Sequence, residues 1–215
     1  MARPVRRRLV PLALTMLAAA CTDPMVPSHA PVYAFADAFG DVFHWPADRL
    51  PVRFFADPRS NMPSLVADAV TAWERQFLYG EFRGVMVNDS TAADVIVHWA
   101  DSVPPATDPD QGPPVDACGG LTQGVLDSTG QAFAAPFETQ ISILTGTVYS
   151  AGQVQACLRR VVIHELGHTL GILREAPDTQ AIMYVTPRVR LPAAIDRRTM
   201  EVLYHTTSTL SPPPP

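Results

Sequence analysis

The sequence predicts an α/β fold: a twisted, mostly parallel sheet of about five strands, two or three helices, and a small irregular C-terminal part. Two observations predict it. Five short apolar runs have the length and composition of strands, and longer segments carry apolar residues at helical spacing. With 215 residues and 47% hydrophobic content, the chain is long enough for one domain with a proper core. Residues 51–56 (PVRFFA) make the first strand. Pro63 opens a helix with Leu65, Val66, Ala69, Val70, Trp73 and Phe77 on one stripe and Asp68, Glu74 and Arg75 outside it. Trp73 reads as a core anchor. Residues 83–87 and 94–99 give two further strands, and His98 in the second reads as structural. The polar, proline-rich stretch 101–117 is an exposed loop. Residues 121–126 and 137–144 complete the sheet. Residues 153–170 (QVQACLRRVVIHELGHTL) form one helix with Val154, Leu158, Val161, Val162, Leu166 and Leu170 apolar, and 192–205 form a closing helix.

The ends of the chain read differently from its middle. Arg3, Arg6, Arg7 and Arg8 precede an apolar stretch, 9–20, that is too short to span a bilayer as a mature helix, so 1–20 reads as an export signal. The run Leu17-Ala18-Ala19-Ala20-Cys21 resembles the bacterial lipobox, which implies lipidation at Cys21; the alternative is plain secretion after cleavage near Ala20. Residues 21–48 are a spacer that becomes a docking segment through Tyr33, Phe35, Phe39, Phe43 and Trp45. The main domain then occupies 49–206, and 207–215 is a disordered proline-rich tail. The chain contains no lysine. Taking the four signal arginines from its 16 basic residues leaves twelve against 21 acids, a net charge near −9. That balance argues against nucleic acid, and leaves a lipid anchor as the means of membrane attachment. A monomer is expected. In an oxidising compartment Cys118 and Cys157 could form a disulfide; a free thiol at Cys157, seven residues before His164, is the competing reading.

The chemistry lies in His164-Glu165-Leu166-Gly167-His168. Histidines four residues apart on a helix differ by about 40° in direction, so both imidazoles can reach one metal ion. Glu165, beside the first, can take a proton from a water that the ion polarises. Burying two histidines and a glutamate in an otherwise apolar helix would be costly unless something satisfied them. Gly167 costs roughly 1 kcal/mol relative to alanine in a helix, so packing or the site must require it.

The stretch HELGHTLG at 164–171, with Ala181-Ile182-Met183-Tyr184 following, resembles the metzincin zinc peptidases, and most of all the matrixin branch. The resemblance implies a Zn2+ site on His164 and His168, Gly171 as the residue where the chain leaves the helix, Met183 as the methionine of a turn beneath the metal, and an edge strand within 121–144 that extended substrates lie against. Met183 reads equally as an ordinary core methionine. The position of the family's third ligand holds Arg174, whose guanidinium has only donors and cannot coordinate a cation. Glu175 is the leading substitute, with Asp178 and Glu201 as alternatives; a gluzincin-like plan would use Glu201. The expected function is a zinc-dependent endopeptidase of the cell envelope acting on protein or peptide. The alternative is a decayed, non-catalytic relative that binds proteins or peptides without a complete zinc site.

Overall fold

Alternation decides the first strand. Val52, Phe54 and Ala56 are buried and Arg53 and Phe55 half-buried along β1 (Val52–Ala56). The computed structural model describes residues 30–101, 117–143 and 149–214. The signal segment, Cys21 and most of the proline-rich loop therefore lie outside the described residues. The helix α1 (Met62–Glu74) follows, with Pro63 in its first turn and Met62, Leu65, Val66, Ala69, Val70 and Trp73 buried. Its stripe ends earlier than the sequence pattern suggests: Phe77 lies in the turn beyond, where its ring meets Tyr204 at 4.7 Å. Strands β2 (Gly84–Met86), β3 (Val95–Trp99), β4 (Cys118–Gln123) and β5 (Phe137–Ile143) complete the sheet, in the order β2-β1-β3-β5-β4. All neighbours pair in parallel except β4 and β5. The α/β class with a mostly parallel five-stranded sheet is the observed architecture.

The main helix, α2 (Ala151–Thr169), starts two residues before the apolar pattern does. The reason is a capping box at Ser150: its hydroxyl accepts from the Gln153 amide, and the Gln153 side chain accepts from the Ser150 amide. α1 packs over β1 and β2, and α2 over β4 and β5. The two helices are joined where the Trp73 indole N–H donates to the Ile163 carbonyl at 2.8 Å, an anchoring role for a fully buried tryptophan. β4 begins three residues earlier than its apolar pattern, because Cys118, Gly119 and Gly120 pair with Ile143, Ser142 and Ile141 of β5. Cys118 is bonded to Cys157 of α2, with Cα atoms 5.9 Å apart across a separation of 39 residues. Replacing both cysteines by serine should cost about 4 kcal/mol of stability on the chain-entropy argument for such a loop, which denaturant unfolding would measure.

The segment before β1 is part of the core. Tyr33, Phe35, Phe43 and Trp45 are buried, and Phe43 packs edge-on to Trp45 and Phe133. Phe39 differs: it sits 92% exposed on the turn closed by Asp37 and Gly40. The expectation of a disordered tail from 207 onward is corrected as far as Pro213. The Thr209 amide donates to the Val42 carbonyl, the Ser211 amide to Gln131, and Arg49 donates to the Pro213 carbonyl at 2.6 Å. Proline lacks a donor, so composition suggests disorder, but its carbonyl still accepts and Arg49 uses it. The helix α3 (Ala194–Tyr204) closes the fold, with Met200 and Leu203 fully buried. Among the described residues, no helix is long and apolar enough to cross a membrane.

Candidate metal centre

One helical turn separates His164 from His168, and their rings meet edge to face with centroids 4.8 Å apart. Both rings are held from behind. His164 Nδ1 lies 2.9 Å from the Ile182 carbonyl and His168 Nδ1 lies 2.6 Å from the Ile172 carbonyl. A carbonyl only accepts, so each Nδ1 carries the proton and donates, and each Nε2 is left with a lone pair. These two Nε2 atoms face one another at 3.2 Å. Such an arrangement needs a proton or a cation between the rings. Two nitrogens each about 2.0–2.1 Å from a tetrahedral zinc are about 3.3–3.4 Å apart, so the observed spacing fits that ion.

The third donor comes from the chain after the helix. Gly171 takes φ +111°, and a Cβ there would overlap the Phe43 carbonyl, so both the turn and the close approach require glycine. Beyond it the Leu173 amide donates to Phe35 and the Ala176 amide to Met183. Between these anchors Arg174 goes to solvent and Glu175 turns onto the imidazoles. Glu175 Oε2 is 3.5 Å from His164 Nε2, and Oε1 is 3.6 Å from His168 Nε2. His164, His168 and Glu175 are the metal-competent group among the described residues, with one donor atom from each lying within 4.8 Å of the others. Asp178 and Glu201 are not in it. Asp178 caps its own turn through the Gln180 amide, and Glu201 is exposed on α3.

Electrostatics follow the geometry. Burial alone would depress the His164 pKa, but the carboxylates of Glu175 and Glu165 outweigh it and raise it to about 9. Burial would raise Glu175, yet His164 and His168 hold its carboxyl well below the usual range. Protons and a cation compete for the same lone pairs. Zinc affinity should therefore climb about tenfold per pH unit towards about 9, instead of levelling off near the ordinary histidine value of about 6.5. Competition with a chelator across pH measures this. In metal-free protein, the raised His164 pKa contributes stability that is fully present below about 6.5 and lost as pH rises through about 9.

Glu165 is 5% exposed and packs against β4. Its Oε2 accepts from the Thr122 hydroxyl at 2.7 Å, and Thr122 in turn meets the Thr139 hydroxyl at 3.0 Å. A Cβ at Gly120 would overlap the Glu165 carboxylate, so a glycine on β4 makes the space for it. The outer edge of β4 pairs with no strand among the described residues. Met183 is fully buried beneath α2, and a Cβ at Gly167 would overlap its thioether and the Trp73 ring, which is the packing reason for that glycine. His98 pairs with Asp57 at 3.4 Å.

Two contributors were not legible in the sequence. Thr122 carried no signal at all. Asp196 showed only as an acid in a helix first turn, but it is fully buried and accepts from the Tyr33 hydroxyl and the Ile182 and Ala193 amides. Burial first, then Asp196 and Glu175, push the Tyr33 phenol far above its ordinary pKa, so it stays a neutral donor.

No protein-family model matches the chain, and no curated protein sequence does. Among solved structures, it is similar to archaemetzincin from Methanopyrus kandleri, with 13% identity and a TM-score of 0.41 over 71% of this chain and 95% of that one. It is also similar to high choriolytic enzyme 1, a hatching enzyme zinc-protease from Oryzias latipes (medaka fish), with 13% identity and a TM-score of 0.39 over 77% of this chain and 95% of that one. Likeness at that level carries nothing about the site.

Proposed function

We propose that the chain is a zinc-dependent endopeptidase of the metzincin type, exported to the cell envelope and anchored there through Cys21. The observation that carries the reading is the pair of Nε2 atoms at 3.2 Å with the Glu175 carboxylate against both rings. His164, His168 and Glu175 would hold the ion, a set of three protein donors of the kind catalytic zinc sites use. Zinc, when bound, supplies a Lewis acid that polarises a carbonyl and brings water towards ionisation at neutral pH. Glu165 would then serve as the general base and acid, taking a proton from water and giving it to the leaving amine. Its Thr122 hydrogen bond fixes the carboxylate beside β4. A peptide added to the open edge of β4 would be held by backbone hydrogen bonds, with a carbonyl close to Glu165.

The non-catalytic alternative rested on the loss of a third ligand at Arg174. The Glu175 carboxylate, one residue later and against both rings, supports the catalytic reading instead. Metal analysis of the mature protein, followed by digestion of a broad peptide library, tests the reading. The expected result is about one zinc per chain, with cleavage that chelator abolishes and zinc restores. Protein that takes up no zinc, or that holds zinc and cleaves nothing, would leave the binding-module reading.

A further inference from the structure

The buried carboxylate of Asp196 stands behind the metal centre without touching it. Its Oδ2 accepts from the Ile182 amide at 3.0 Å and from the Ala193 amide at 2.7 Å, and its Oδ1 accepts from the Tyr33 hydroxyl at 2.7 Å. The Ala193 bond closes the first turn of α3, and the other two lead to different members of the donor set. Ile182 presents its own carbonyl to His164 Nδ1 at 2.9 Å, so the residue that orients this ring is held in place by Asp196. Tyr33 is two residues before Phe35, whose carbonyl takes the Leu173 amide at 2.8 Å, and Leu173 is two residues before Glu175. The Val32 amide bonded to Thr199 fastens the same N-terminal strap to α3. A purely packing role would be served by an apolar side chain, since a carboxylate is costly to bury. Three donors converge on this one instead.

We propose that Asp196 is a positioning residue for the cation: through Ile182 it sets the His164 ring, and through Tyr33 and the strap it sets the loop that delivers Glu175. This inference rests on the zinc reading above. A single carboxylate thereby couples the placement of the N-terminal strap to the affinity of the metal site.

The test compares the parent mature chain with D196N and Y33F, measuring zinc affinity by chelator competition, the melting temperature of the metal-free protein, and the visible spectrum of the Co2+-loaded form. D196N should bind zinc about 10–100-fold more weakly, as groups that orient metal ligands do when altered. Y33F leaves the Ile182 bond intact and should lose about tenfold, and both should alter the Co2+ spectrum. Variants that melt lower when metal-free but match the parent in zinc affinity and Co2+ spectrum would overturn the inference, leaving Asp196 with a folding role. If D196N does not fold, Y33F decides by the same criterion. A parent that takes up no zinc overturns the zinc reading itself, an outcome distinct from variants that bind as the parent does.

Discussion

Glu165→Gln should lower peptide cleavage by about 10²–10⁴-fold, the usual contribution of a positioned general acid–base group, while the protein keeps its full complement of zinc. The side chains are nearly isosteric. A glutamine oxygen can still accept from Thr122, so the contact with β4 is retained and the fold has no reason to change. The imidazoles of His164 and His168 are set by Ile182 and Ile172, neither of which involves Glu165. What the amide cannot do is take up and return a proton. Zinc content, melting temperature and kcat/KM on one peptide, measured together, separate these effects. Cleavage at the parental rate would show that the proton moves by another route.

Glu175→Ala should have the largest effect on the metal, weakening zinc binding by more than about 100-fold, beyond what loss of a supporting group costs. It removes the carboxylate that lies against both imidazoles and leaves the histidine pair as it was. It also removes the leading charge that raises the His164 pKa. Whatever zinc binding remains should then level off at lower pH than in the parent, since the proton competes less well. Asp178→Ala and Glu201→Ala should leave affinity unchanged, because neither carboxylate belongs to the donor group. Unchanged affinity in Glu175→Ala would remove Glu175 from the site.

Much of the site was legible because it is local. Two histidines and a glutamate within one helical turn have their directions dictated by the 3.6-residue period, whatever the rest of the chain does. Trp73 was readable for the same reason, as one member of an apolar stripe. The strand set was readable from apolar runs, though the start of β4 was not: Gly119 and Gly120 have little strand propensity, and it is pairing with β5 that makes them a strand.

Local pattern was enough for the α/β class, for the helix that carries the paired imidazoles, and for a residue at 174 that cannot coordinate a cation. Long-range contacts supply what spacing cannot: they turn Glu175 onto both imidazoles, bury Asp196 among three donors, and dock the C-terminal residues as far as Pro213. The physical reason is reach. Helical periodicity is set by neighbours along the chain, whereas the direction of Glu175 depends on Phe35 and Met183 gripping the backbone on either side of it, and the tail on carbonyls of Val42 and Gln131 far away in sequence.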